Sequence, residues 1–473
     1  MNRQLRPKFI SDFTIQKFDD NHVLIDREKP VWVAVNQLGL DVLKLCNGQN
    51  TVSDIAATLS KRYNVVYETV YKDTFQFIQS FQDMKPIQND KASNSNSDSI
   101  YIELTRRCNL NCIHCCLDKN KPVEDKFQLN EYLRVIEEYY SLPTHSKNII
   151  LFGGEPLLNR NWLEIAIFAK DLGFEVSILT NGTLITREIA EKLASTNIRV
   201  QVSLDGSSKK THDFIRGNGA FEATMRGITN LTQVGINGDY LWLSFTPMKI
   251  NLHEIKDFVE LSVSMGVYCL HLPALISLGN AKRNLSTVSY SLEEKIQFDE
   301  SLEEAKRQYP FLRFSKIISD TTLRILRGDM RLLMCSCQAP LYIDVEGNIF
   351  WCVNALSDEY CLGNIETSRL AEIPNQNKYQ NILSQFEQRI KKIKSQQPCT
   401  SCKWNAFCPP PCPMRALAGY GTMMSVDGHC EQFKYWFNKN LERLVREKYR
   451  GSFTTVFDYS HPHNPIRVAT KSM

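Results

Sequence analysis

No stretch of this chain approaches 18 consecutive apolar residues, which argues against a membrane-spanning helix. The opening residues, Met-Asn-Arg-Gln-Leu-Arg-Pro-Lys, lack the apolar core of a secretory signal. Charge of one sign is nearly missing too. Lys and Arg total 56 against 52 Asp and Glu, leaving +4 over 473 residues, too little to draw nucleic acid or an anionic membrane. The expected setting is the cytoplasm, with neither membrane nor nucleic acid as partner. The composition is globular, 43% hydrophobic and 23% charged, and the length suits two to four domains. Cysteine, by contrast, is plentiful, with 15 in the chain. In a cytosolic protein that number points to metal or redox chemistry rather than structural disulfides. Most of them fall into two spaced sets, one in 108–115 and one in 337–430.

The first set lies in Glu103–Cys116. An apolar run from Ile100 to Leu104 reads as a strand, and a loop follows with Cys108, Cys112 and Cys115 in the spacing C-x3-C-x2-C. Three thiolates on one tight loop can hold three irons of a cubane and leave the fourth open to a ligand. An electron-transfer cluster would be closed by a fourth cysteine. A zinc loop is the other reading, but zinc takes paired Cys-x2-4-Cys ligands that this loop does not offer. Cys116 is a spare vicinal thiol.

This loop resembles the signature of the radical S-adenosylmethionine (SAM) enzymes, C-x3-C-x-Φ-C, with His114 in the usually aromatic place. The resemblance implies a 4Fe–4S cluster whose open iron chelates the amino and carboxylate groups of SAM. It implies reductive cleavage of SAM to methionine and a 5′-deoxyadenosyl radical, and an electron donor such as flavodoxin or ferredoxin.

From 100 to 318 strand and helix patterns alternate. Strands are expected at Tyr101–Leu104, Asn148–Phe152, Glu175–Thr180, Arg199–Leu204, Tyr240–Phe245 and Tyr268–Leu272, with helices such as Glu131–Tyr140, Trp162–Leu172, Arg187–Ala194 and Ala223–Val234 between them. That period means parallel strands with right-handed crossovers and a ligand at their C-terminal ends. Several strand ends carry a motif. Gly153-Gly154-Glu155-Pro156 follows the second strand, and alone it would read as a tight turn. By resemblance it binds the SAM amino group. Thr180-Asn181 after the third strand and Ser203 with Asp205 after the fourth resemble the polar strand ends that face the ribose and methionine of SAM. In His212–Gly217, Arg216 matches an arginine that pairs with the SAM carboxylate. Thr246 and Asn251 are weaker candidates for ribose or adenine contacts.

Residues 1–87 read as a separate α+β module: three short strands at Phe13–Phe18, His22–Asp26 and Val31–Val35, then three helices. Asn36 caps the first helix, and Thr51 or Ser53 the second. The pattern resembles the winged-helix-like D protein of pyrroloquinoline quinone biosynthesis, the recognition element of peptides made on the ribosome and then modified (RiPPs). The resemblance implies that a precursor leader adds as a strand at Val31–Val35 and lies against the third helix. A DNA-binding winged helix is the alternative, but the second and third helices carry few basic residues (Lys61, Arg62, Lys72). Residues 88–99 are Ser/Asn-rich and read as a flexible linker that lets the module deliver a tethered peptide.

The second cysteine set lies in 319–440. Cys337, Gly347 and Cys352 come first, then Cys399, Cys402, Cys408, Cys412 and Cys430 at intervals of x2, x5, x3 and x17. This resembles the SPASM extension of radical SAM enzymes and implies two auxiliary 4Fe–4S clusters. Cys399, Cys402, Cys408 and Cys430 would hold one; Cys337, Cys352 and Cys412 would hold the other. The fourth ligand of the latter is either Cys335 or an open position. Zinc ribbons would share the Cys-x2-Cys pattern, since thiolates serve both metals. Cys46, Cys116, Cys269 and Cys361 fit no pattern and are expected to be buried, inert thiols. Residues 441–473 read as a helix and tail.

The fold class expected is α/β: a partial (β/α)6 radical SAM barrel, a winged-helix-like N-terminal module and a cysteine-rich SPASM domain. The expected activity is that of an oxidoreductase that modifies a precursor peptide by hydrogen abstraction and closes a thioether or carbon–carbon crosslink. Alternatives are a peptide epimerase, a maturase of a folded partner, or a zinc-structured binding regulator. The sulfatase-maturing type carries an aspartate after the second SPASM cysteine, where this chain has Val353. No side chain is assigned as a general base. Three cubanes predict about twelve irons per reconstituted chain, falling by about four when Cys108, Cys112 and Cys115 are all changed to alanine. Colourless, zinc-loaded protein after anaerobic reconstitution would overturn this reading.

Overall fold

The structure is a computed structural model that describes residues 4–9, 13–82, 99–117, 124–142, 148–315, 317–329, 341–355, 357–409, 412–426 and 428–447. The expected linker at 88–99 lies outside them except for Ser99, as do Cys335, Cys337 and the tail from 448. Among the described residues no helix is long and apolar enough to cross a membrane.

The chain opens with an antiparallel sheet of β1 (Phe13–Phe18), β2 (Asn21–Asp26) and β3 (Trp32–Val35), in that spatial order. Helices Gln37–Leu45, Val52–Tyr63 and Tyr67–Gln82 follow. Asn36 caps the first, its side chain accepting from Gly39 N. Thr51 and Asp54 form a capping box on the second. One face of the sheet, with Leu24, Val33 and Val35, packs on these helices.

The other face is covered as well. Val23, Ile25, Trp32 and Ala34 share an apolar cluster with Ile325, Leu326, Trp404, Phe407, Phe437 and Leu441, all from far along the chain. Trp32 Nε1 donates to Leu326 O at 2.9 Å, and Arg446 reaches Asp19 at 3.5 Å. This corrects the expectation of a freely tethered module: the sheet is docked by an apolar face. The signal was in Val31-Trp32-Val33-Ala34-Val35, whose run without alternation means cover on both sides.

The barrel strands are β4 (Ser99–Thr105), β5 (Asn148–Gly153), β6 (Glu175–Thr180), β7 (Arg199–Ser203), β8 (Leu241–Ser244), β9 (Cys269–His271) and β10 (Arg313–Phe314). They pair in parallel in sequence order. Six were expected; β10 is a short addition at the edge. The strands keep apolar residues such as Ile102, Leu151, Ile178, Val200 and Leu243 in one continuous core. The helices between them include Leu129–Tyr140, Trp162–Asp171, Arg187–Ser195, Lys209–Arg216 and Ala220–Gln233. The motif at His212–Gly217 proves to be the second half of the helix Lys209–Arg216, capped by Ser208, with Gly217 at its C-terminal end.

Beyond β4, the sheet continues into the region of the second cysteine set. β11 (Tyr342–Ile343) pairs in parallel with β4, and β12 (Asn348–Phe350) and β13 (Cys361–Asn364) complete a ten-stranded sheet. Tyr342 donates to the buried Glu103 of β4 at 2.8 Å. The last helix begins at Cys430 and runs to Arg446 rather than starting at 441. Its apolar stripe (Phe437, Leu441, Leu444, Val445) packs toward Ile325 and Leu326 and the N-terminal sheet.

Trp32→Ala removes one of the two tryptophans buried at this junction and is expected to destabilise it by about 3–5 kcal/mol. Hydrogen exchange should then quicken in β2, β3 and the helix Cys430–Arg446 together. Faster exchange in β2 and β3 alone would mean that the sheet does not depend on that helix.

Candidate functional site

The cysteine loop has no helix or strand of its own, so its backbone polar groups must be satisfied by neighbours. Where β4 ends, Arg106 is held by Glu103 at 3.1 Å and by Asp344 at 3.3 Å. From the end of β5, Gly154 N donates to Thr105 O at 2.7 Å and Glu155 N to Arg107 O at 2.9 Å. A Cβ on Gly153 would sit 2.3 Å from Thr105 O, and one on Gly154 2.3 Å from Arg107 O. The two glycines are therefore where the second strand end touches the loop.

The third strand end grips it from another side. Asn181 Nδ2 donates to Asn109 Oδ1 at 2.9 Å, and Asn109 Nδ2 to Thr183 Oγ1 at 2.7 Å. Ile113 N donates to Ile215 O at 2.9 Å. A last clamp comes from the helix Gly279–Arg283. Asn280 N donates to Cys115 O at 2.8 Å and its side chain to Cys112 O at 3.0 Å, while Asn284 Nδ2 donates to Ile113 O at 3.0 Å. Asn109, Asn280 and Asn284 were not singled out from the sequence; the signal available was two asparagines four residues apart on one helical face.

The expected SAM-binding residues fall on these strand ends, but several side chains are already engaged. Glu155 is fully buried and accepts from Thr180 Oγ1 (2.7 Å), Asn181 N (2.8 Å) and Leu157 N (3.2 Å). Its carboxylate caps the turn Pro156–Leu158 that Pro156 opens. Arg216 was expected to meet the SAM carboxylate. Its Nε and Nη2 instead both lie 2.7 Å from Asp205 Oδ2, and its Nη1 faces Cys112 Sγ at 3.9 Å. Asp205 also accepts from Thr246 N at 2.7 Å and lies 3.3 Å from His114 Nε2.

Burial alone would raise the Asp205 pKa. The Arg216 guanidinium, then His114 and the Thr246 N–H, outweigh it and hold the carboxyl below its usual range. Burial pushes His114 down to about 4, so the ring is neutral and donates through Nε2. Asn251 is buried too, and its amide donates to Asp205 O (2.9 Å) and Thr246 O (3.0 Å), tying the ends of β7 and β8 together. Ser203 ends β7 and is half-buried.

Among the described residues, no three His, Cys, Asp or Glu groups converge as ligands of a single ion. The fit of the cysteines to clusters is judged from what surrounds each thiol. Cys108 Sγ accepts from Leu110 N at 3.4 Å, and Cys112 has the Arg216 guanidinium. Burial raises Cys112 to about 11, while Arg216 pulls the other way, as a thiolate site needs. Cys399, Cys402, Cys408 and Cys430 line one cavity with Lys394 and Lys434, backed by Trp404, Phe433 and Phe437. Four thiols and two cations around one apolar space suit an iron–sulfur cluster. Cys352 is buried and Cys412 half-buried at the edge of the main core. Of the unassigned thiols, Cys46 and Cys269 are buried as expected, Cys361 is half-buried, and Cys116 is exposed, which corrects the reading of it as a buried thiol.

Gly154→Ala tests whether the close approach holds the loop. About four of the irons should be lost on reconstitution, as for one cubane, with helix content unchanged by circular dichroism. Full iron content would mean that the loop yields to a methyl group.

Comparison with known proteins places three family models on the chain in the order read from the sequence. They are Coenzyme PQQ synthesis protein D (PqqD) over 21–85, the Radical SAM superfamily over 102–262, and the SPASM iron-sulfur cluster-binding domain over 335–403. The chain is similar to the AdoMet-dependent heme synthase of Methanosarcina barkeri, with 38% identity over 37% of this chain, and it spans only half of that relative's length (50%). It is also similar to the mycofactocin maturase MftC of Mycobacterium tuberculosis, with 27% identity over 69% of this chain and 80% of the relative. Its fold is like that of Streptococcus suis SuiB bound to precursor peptide SuiA, with a TM-score of 0.58 and 13% identity over 90% of this chain and 99% of the other. The cofactors that accompany these domains are SAM, its 4Fe–4S cluster and the clusters of the SPASM domain. The chain therefore carries a radical SAM domain, with a PqqD-type domain before it and an iron–sulfur SPASM domain after it.

Proposed function

We propose that this protein is a maturase of a ribosomally made precursor peptide, in which it forms an intramolecular thioether or carbon–carbon crosslink. The observation that carries the reading is the PqqD-type sheet, whose outer strand β3 has β2 on one side and no strand on the other among the described residues. Asp26 N donates to Val31 O at 3.0 Å, so the odd-numbered residues of β3 face β2. By antiparallel alternation Trp32 and Ala34 then turn their backbone N–H and C=O to the open edge. An extended leader can add there as a strand. The similarity to MftC, named a maturase, and to SuiB, solved with its precursor peptide, supports the same substrate class.

When bound, SAM and the loop's cluster supply the radical that takes a hydrogen atom from the peptide. The chain's own residues prepare the place. Asn181, Asn280 and Asn284 fix the loop, Arg216 faces a ligand thiol, and Asp205 keeps that guanidinium in position. Reduction by flavodoxin or ferredoxin belongs to this proposal.

The heme synthase similarity favours a second reading, in which the substrate is a tetrapyrrole. A tetrapyrrole has no backbone to pair with β3, so that reading leaves the N-terminal domain without a task.

Deleting residues 1–87 would uncover Trp404 and Phe437 and confuse lost recognition with lost fold. Ala34→Pro is cleaner. Proline is tolerated where the N–H faces outward from an edge, and it removes the donor that a leader would use. The substrate for the test is a leader-bearing precursor peptide encoded beside the gene. Its modification, followed by mass loss, should fall by about tenfold or more with Ala34→Pro, roughly the worth of one backbone hydrogen bond, while iron content stays level. Equal turnover by both proteins would overturn leader binding at β3.

A further inference from the structure

Three of the chain's tryptophans donate their indole N–H to an oxygen. Trp32 reaches Leu326 O at 2.9 Å, Trp242 reaches Asp239 O at 3.1 Å, and Trp436 reaches Asp299 Oδ2 at 3.0 Å. Trp404 differs. It is 1% exposed, and its Nε1 meets no acceptor among the described residues. A buried donor that has left water without a new partner costs free energy, so its acceptor has to be accounted for.

The place of the ring narrows the choice. Trp404 lies two residues after Cys402, in the wall of the cavity that Cys399, Cys402, Cys408 and Cys430 also line. Phe437 stacks on it with ring centres 5.0 Å apart, and Phe407 meets it in a T-shaped contact at 5.7 Å. The Lys403 ammonium lies 5.2 Å from the ring centre. Val23, Ile25 and Trp32 of the N-terminal sheet belong to the same apolar cluster. These neighbours hold the ring but offer no acceptor: an indole N–H lies in the ring plane and can only donate. No carboxylate is among the described residues that line the cavity. What recurs in its wall is sulfur. A thiol accepts weakly, whereas thiolates and sulfides that carry negative charge accept well.

We propose that Trp404 is a hydrogen-bond donor to the iron–sulfur cluster of this four-cysteine cavity, and that its indole N–H holds the reduction potential of that cluster up. A donor to cluster sulfur stabilises the reduced, more negative state above the oxidised one. The N-terminal sheet then shares in setting that potential, because it packs on the ring that carries the donor. The inference rests on the cluster reading of these four cysteines and is independent of what the substrate is.

The test uses the full chain, reconstituted without oxygen and labelled with 15N in its indoles. Pulsed EPR on the reduced protein reads 15N couplings, and an EPR-monitored redox titration reads the midpoints. The signal of the loop cluster is identified by its absence after Cys108, Cys112 and Cys115 are changed to alanine. One auxiliary cluster is expected to show a 15N coupling that Trp404→Phe abolishes. Its reduction should become about tenfold less favourable, a midpoint lower by about 59 mV for one electron, while the other midpoints stay level. A role in packing alone would move iron content without any 15N coupling in the parent protein. If Trp404→Phe does not hold its iron, Trp351→Phe takes its place. Trp351 adjoins Cys352 of the other thiol set, so the coupling should survive that change. No coupling in the parent overturns the proposal, as does its survival in Trp404→Phe, its loss in Trp351→Phe, or an unchanged midpoint in Trp404→Phe. Changing Cys399 and Cys402 together to alanine should remove about four irons; full iron content would overturn the four-cysteine site itself, and the proposal with it.

Discussion

A loop made of unpaired backbone sets the terms for this structure. The segment from Arg106 to Cys116 forms neither helix nor strand, so its amides and carbonyls have no ladder of their own to pair in. Arg107, Ile113 and Cys115 find partners instead at Glu155 just past β5, at Ile215 in the helix Lys209–Arg216 and at Asn280 in the helix Gly279–Arg283. Glu155 follows directly on a strand of the parallel sheet. The barrel is thus more than a scaffold with a loop attached. Its strand ends are the hydrogen-bond partners without which the loop would have no defined shape, and buried Glu155 and Asp205 hold those ends in place.

The same economy explains Arg216. A guanidinium inside a barrel is expensive to desolvate unless it is paired, and removing one partner of such a pair is strongly destabilising. Asp205 accepts two of its N–H groups, which leaves Nη1 directed at Cys112. An arginine matched by resemblance to a SAM contact thus stands between a carboxylate and a thiol of the cysteine loop.

The N-terminal domain illustrates a constraint of a different kind. A three-stranded sheet with two apolar faces cannot be left with only one covered. Leu24, Val33 and Val35 take the helices that follow them in sequence, while Val23, Ile25, Trp32 and Ala34 need a second surface. Trp404 and Phe437 provide it; they are stacked 5.0 Å apart and also back the cavity lined by Cys399, Cys402, Cys408 and Cys430. The domain that would hold a leader and the domain that would hold a cluster therefore share one aromatic layer. The face is consumed by docking, while the outer edge of β3 pairs with no further strand among the described residues.

The sequence by itself determined the order of the domains, the cysteine sets and most strand positions. Spacing of thiols and the alternation of apolar runs are local properties; Glu175–Thr180 stands where its pattern said, and the strand expected at Asn148–Phe152 runs one residue further, to Gly153. It also placed Gly153-Gly154-Glu155-Pro156 and Ser203–Asp205 at strand ends, because motif and strand are neighbours in the chain. Partners distant in sequence were decided by the tertiary structure alone. Arg216 with Asp205, Asn280 with Cys112, β11 beside β4, and Trp32 against Leu326 are pairings between segments that carry no mark of one another. Periodicity records which face of an element is apolar, while the identity of what covers that face, or of what a buried charge pairs with, arises only when the elements pack.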